Sequence, residues 1–257
     1  MSTVESVDAH HAPPRMGFAD RVSQLLDEID IRLMQTDEQR KAVGRLRYDC
    51  YLREGAISRN SSRTFSDAYD EKGDVRIFGL YLGDELASSI RIHVASKENP
   101  VFPSFSVFRD LLEPELQAGK KIIDPTRFVT EPRLSRLYPG LPHVTVRLCW
   151  MAAEHFEAEH FLAAVRVEHQ AFYRRIFEQR PICGPRRYPM LSKPITLMTV
   201  NYEDAAERVH RRYPFFRSTY FERRMLFGQR EAAHPLSLQP ALMPVGKSQL
   251  EVSAQAG

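Results

Sequence analysis

The run Val75-Arg-Ile-Phe-Gly-Leu-Tyr-Leu82, then Gly83-Asp84, then Leu86-Ala-Ser-Ser-Ile-Arg-Ile-His-Val94 is where the fold can be read first. Two stretches rich in β-branched and aromatic residues, joined by a Gly-Asp pair, predict a hairpin of antiparallel strands. Arg91 sits inside its second strand, where an ion needs either water or a partner. A helix over Phe105 to Ala118 comes next. Lys121 to Thr130, with Ile122, Ile123, Phe128 and Val129, then reads as a central strand, and Pro125 within it predicts a bulge or an unpaired position.

Upstream, Phe18, Val22, Leu25, Leu26, Ile29 and Leu33 recur at helical spacing, so one helix is expected over that whole run. Thr36 and Gln39 form a capping box opening a second helix, which carries Arg47 and Tyr51 and stops near Gly55. From Ile57 to Asp74 few residues are apolar, which predicts a long loop bearing Asp67 and Asp70. Downstream, a helix over Pro142 to Ala158 is followed by a strand over Phe161 to Val167 and a helix over Glu168 to Phe177. A strand over Ile195 to Asn201, a helix over Glu203 to Arg212 and an aromatic run to Phe227 complete the order. That order describes one α/β domain (in the looser α+β sense) with a mixed sheet over residues 17 to 228. Residues 1 to 16 and 229 to 257 are too polar, or too rich in Pro, Ser and Gln, to belong to it and are expected to be disordered or flexible.

The 257 residues, 43% apolar and 27% charged, exclude disorder throughout, and a formal charge of +3 excludes a general nucleic-acid coat. Cys50, Cys149 and Cys183 are widely spaced, which suggests neither a disulfide framework nor a zinc ribbon. With no signal sequence or membrane span, a cytoplasmic protein is expected. The charge is uneven, however. Residues 166 to 230 hold 14 Lys and Arg against 6 Asp and Glu, whereas residues 1 to 165 hold 21 against 25. Arg174, Arg175, Arg186, Arg187, Arg211 and Arg212 are the densest part of a face suited to an acidic protein or a phosphate group. His155, His160 and His169 lack an i, i+4 repeat, so no metal site is expected. Cys149, on an apolar helix face without a His and acid nearby, is not expected to be a nucleophile.

Arg47 with Tyr51, Asp67-Ala-Tyr-Asp70, Ser89-Ile-Arg91 and Asp124-Pro-Thr-Arg127-Phe128 resemble, in order and spacing, the motifs of acyl-homoserine lactone synthases. Tyr173-Arg174, Pro185-Arg-Arg-Tyr-Pro-Met-Leu191 and Pro194-Ile-Thr-Leu-Met198 resemble more closely the N-acyl amino acid synthases of the GNAT acyltransferase superfamily. The resemblance implies a mixed, twisted sheet whose central parallel strands splay apart, with helices on both faces. It implies transfer of a long-chain fatty acyl group to the α-amine of an amino acid. No bound cofactor is implied, the donor being an acyl-phosphopantetheine thioester. The turn Glu131 to Pro142, with one glycine and three prolines, suits a diphosphate poorly, so an acyl carrier protein is expected as partner rather than free coenzyme A.

By that resemblance, Asp124 and Arg127 are the catalytic pair, with Asp124 a candidate base acting directly or through water because the lactone synthases usually carry Glu there. Arg47, Tyr51, Asp67, Asp70, Arg91 and Phe128 line the acceptor site, and Arg174, Arg175, Arg186 and Arg187 dock the carrier. Four isolated ions at 47, 67, 70 and 91 would be costly, so Asp67 and Asp70 are expected to pair with Arg47 and Arg91. An acyl-homoserine lactone synthase and a catalytically silent GNAT-like module that binds acyl carrier protein are the competing readings.

Overall fold

The computed structural model describes residues 16–228; the two terminal segments singled out above lie outside the described residues, apart from Met16. Helix α1 (Phe18–Glu28) leads into strand β1 (Ile29–Leu33) and helix α2 (Asp37–Arg53). The single helix expected over 18 to 33 is therefore cut in two. Ile29-Asp-Ile-Arg-Leu33 satisfies a strand period as well as a helical one, and antiparallel pairing with β2 (Val75–Leu82) decides between them. Thr36 accepts the Gln39 amide and the Gln39 side chain returns the bond, so the capping box starts α2 where the sequence placed it. Gly55, at φ 64°, ends it in the left-handed region that favours glycine.

Strand β3 (Glu85–Ala95) completes the hairpin with β2, and α3 (Phe105–Gln117) leads to β4 (Ile122–Thr130). Helices α4 (Pro132–Leu137) and α5 (Leu141–His155), strand β5 (His160–Val165) and helix α6 (Gln170–Phe177) follow. The short β6 (Arg180–Pro181), then β7 (Thr196–Asn201), α7 (Tyr202–Arg212) and α8 (Tyr220–Phe227) end the described chain. The sheet order is β1-β2-β3-β4-β5-β7-β6, antiparallel except between β4 and β5.

That parallel pair joins only Ile122 with His160 and Ile123 with Phe161, so the two strands part from Asp124 onward. The larger core packs α1, α5, α7 and α8 against one sheet face around Trp150, Phe161 and Phe216. A second core around Phe102, Phe108 and Leu112 seats α3 on the other face, and Met34 and Val43 pack near the start of α2. Phe215, Phe216 and Phe227 of the aromatic run belong to the larger core, while Tyr220 and Phe221 are exposed. Among the described residues no helix is long and apolar enough to cross a membrane.

Candidate active site

The bulge in β4 falls two residues later than Pro125 suggests. Ser89 pairs with Val129 and Arg91 with Thr126, so Ile90 alone faces both Arg127 and Phe128. Pro125 keeps its place opposite Ile92. Arg127 takes the extra turn with φ 54°, a conformation that costs a non-glycine residue about 1 kcal/mol and aims its side chain at the 57–74 loop.

There the predicted pairs form and join into one network. Asp70 accepts from Arg47 Nη1 at 2.8 Å and from Arg91 Nη1 at 2.9 Å. Asp67 accepts from Arg91 Nη1 at 2.5 Å and from Arg127 Nη2 at 2.5 Å. Asp67 also receives the Tyr69 amide and thereby shapes its own one-turn 3-10 helix. Arg91 Nε donates to Thr126 Oγ1. Burial would lift the Asp67 carboxyl, but Arg91 and Arg127 outweigh it and hold the group well below the usual carboxylate range. Burial would likewise depress Arg127, and Tyr51 and Asp67 reverse that, leaving its guanidinium firmly charged. Phe65, Tyr51 and Tyr188 surround this cation, the nearest ring centroid at 4.4 Å.

Asp124 lies fully buried on the same sheet face, opposite His93. Ser104, at the mouth of α3, donates its amide at 3.0 Å and its hydroxyl at 2.7 Å to the two carboxylate oxygens. Burial raises the Asp124 pKa to about 6, with both Ser104 bonds pulling the other way. Ser104 was not singled out in the sequence, although a Ser before an apolar run is a helix-start signal.

A cavity of about 640 Å³ occupies the splay between β4 and β5. Phe128, Val165, Phe172 and Tyr173 line it from the larger core, and Ala164, Leu191 and Ile195 from the one around α3, so it passes through the seam of the sheet. Arg127, Thr126 and Tyr51 reach this wall; Arg47, Arg91, Asp67, Asp70 and Asp124 stand behind it. Cys50 also lines the cavity, where burial, reinforced by Glu54, pushes its thiol up to about 12 and keeps it protonated. Burial also raises the Cys149 thiol well above its ordinary value. Among the described residues no group of three or more His, Cys, Asp or Glu is placed to hold a metal ion.

The proposed docking arginines divide. Arg174, Arg175 and Arg187 are exposed. Arg186 is half-buried and forms a bidentate pair with Asp110 at 2.5 and 2.8 Å, fastening the 185–195 segment to α3.

The motifs set around this cavity fall within one family model, N-acyl amino acid synthase FeeM, which matches residues 42–201. The chain belongs to that family. It is thereby an acyltransferase of the N-acyltransferase kind, with the GNAT-like fold. Two solved structures carry the same fold: FeeM, an N-acyl amino acid synthase from uncultured soil microbes, and TofI, solved with an inhibitor and MTA. FeeM is 17% identical, over 73% of this chain and 97% of that one, with a TM-score of 0.59. TofI is 13% identical, over 71% of this chain and 95% of that one, with a TM-score of 0.53. No curated protein matches the sequence significantly.

Proposed function

We propose that this family member transfers a long-chain fatty acyl group from an acyl carrier protein thioester to the α-amine of an amino acid. The observation that carries the reading is the cavity running through the splayed strands, lined by Phe128, Val165, Phe172 and Leu191, with Arg127 in its wall beside Thr126. An acyl chain fits such a lining, and a permanent cation there meets the acceptor's carboxylate.

An α-amine with pKa near ~8 is mostly protonated at neutral pH and must lose a proton before it attacks the thioester carbon. Asp124 is the proposed sink. It stands one layer behind the wall, so the proton travels through a water, and a carboxylate with pKa about 6 is ionised yet basic enough at pH 7. The tetrahedral oxygen is met by amides of β4 beyond Asp124, where β5 has left the strand unpaired, and its collapse breaks the C–S bond and releases the carrier's thiol, which takes back the proton held at Asp124. The carrier approaches over the exposed Arg174, Arg175 and Arg187.

The test is to incubate the protein with acyl carrier thioesters and a pool of amino acids and to read products by mass spectrometry. N-acyl amino acids are expected. An acyl-homoserine lactone formed from S-adenosylmethionine instead would move the acceptor, and carrier binding without turnover would leave a silent module.

A further inference from the structure

A second groove, of about 620 Å³, lies between α1, β1 and α8 and shares no residue with the acyl cavity. Helices α1 and α8 and strand β1 all fall outside the stretch that the family model matches. Leu26, Ile29, Ile31 and Leu226 give the groove an apolar lining. Phe221 and Met225 line it from α8 and yet are 71% and 55% exposed, and Tyr220 beside them is 66% exposed. At 3.6 residues per turn, positions 220, 221, 224 and 225 share one side of α8 and 222, 223, 226 and 227 the other, so three apolar side chains and Arg224 make up its whole outward face.

A surface helix normally turns polar residues outward, and an apolar face continuous with a groove marks a contact surface. The face is also rigid. Arg147 of α5 holds Glu222 with both Nη atoms and gives its Nε to the Phe215 carbonyl, which fastens α8 to the larger core. The charges around the groove name the partner. Asp27, in the groove's α1 wall, and Glu28 after it are exposed, and so is Arg224 on α8. None of these three side chains makes an ion pair or hydrogen bond among the described residues. One face thus carries a projecting ring, a groove able to take one, an acidic flank and a basic flank. A half-turn about an axis through the groove sets each feature opposite its complement, which is what an isologous contact requires. An anionic bilayer would be repelled by Asp27 and Glu28 and has no ring to place in the groove.

We infer that two copies of the chain dock on each other through this face, with Phe221 of each seated in the other's groove and Arg224 of each meeting the other's Asp27. Glu28 strengthens the acidic flank that Arg224 approaches. The paired rings supply the buried centre of the contact and the charges its rim, where they fix orientation more than affinity. Because no residue of the groove lines the acyl cavity, the contact stands or falls independently of the reaction proposed above.

Sedimentation velocity of the full chain at low salt, over about 1 to 200 µM, tests this without any acyl transfer. A reversible monomer–dimer equilibrium is expected, with a dissociation constant on the order of 10 µM or tighter. Phe221→Asp should weaken it at least about tenfold, while the thermal midpoint of the dilute protein stays unchanged because the ring is 71% exposed. Asp27→Arg and Arg224→Asp should each weaken it roughly fivefold, and the two together should associate better than either alone. A monomer at every concentration, a dimer indifferent to Phe221→Asp, assemblies growing past two chains, or a double reversal as weak as the product of the single losses would overturn the arrangement. Binding to phosphatidylglycerol vesicles that Phe221→Asp abolishes, with no dimer formed, would give the face to a lipid surface and overturn it as well.

Discussion

Two groups of arginines show how one side chain serves opposite ends. Arg47, Arg91 and Arg127 are at most 5% exposed and are locked to Asp67 and Asp70 by short bonds, whereas Arg174, Arg175 and Arg187 are exposed on or beyond α6. The first group has already lost its water, so each partner removed strands a charge. The second keeps its water and acts through a screened field. A buried network therefore shapes a site, and a surface group steers a partner.

The sharpest way to break this contrast is Arg91→Met. It leaves Asp67 with Arg127 alone and Asp70 with Arg47 alone, and should cost about 3 to 5 kcal/mol of stability in denaturant titration. A loss under about 1 kcal/mol would show that the network is as well hydrated as the surface.

Asp124→Asn keeps shape and removes the proton sink, so turnover at pH 7 should fall roughly 100-fold with acceptor binding less affected. The mutant should regain rate toward pH 9 as solvent deprotonates the amine. The wild type should lose rate below about pH 6, where Asp124 takes up a proton. Ser104→Ala deletes a hydrogen bond that favours the ionised form and should move that limb upward. Near-normal turnover of Asp124→Asn at pH 7 would confine Asp124 to holding α3.

Acid titration sharpens the buried side further. The depressed Asp67 and Asp70 add stability that is complete above the ordinary carboxylate value of 3.8 and is lost as pH falls below it. Asp124, raised, ionises first in the unfolded chain and removes stability as pH climbs from about 4 to about 6. Asp67→Asn should flatten the acid slope below pH 4 in thermal melts, and Asp124→Asn the opposing one above it.

The smallest effect belongs to the surface. Reversing Arg174, Arg175 or Arg187 to Glu should weaken the carrier's apparent affinity a few-fold at low salt, with the difference vanishing at high salt and folding intact. Arg186→Glu should behave otherwise, loosening the 185–195 segment because it confronts Asp110. Identical salt profiles for all four would erase the distinction between a pinned and a free arginine.

The sequence by itself determined the hairpin, the capped start of α2 and the spacing of Arg47, Asp67, Asp70, Arg91, Asp124 and Arg127, because caps, turns and strand periods act over a few neighbouring residues. Only the tertiary structure decided that Ile29–Leu33 is a strand, since its partner lies some fifty residues away in β2. It also set the bulge at Arg127, through pairing with β3, and gave Asp124 its two donors from Ser104, 20 positions earlier. Whether an arginine is locked, as Arg186 is to Asp110 76 positions away, or open, as Arg53 and Arg136 are, depends on which distant groups share its water. Charge is written residue by residue, but desolvation is a property of the packed whole.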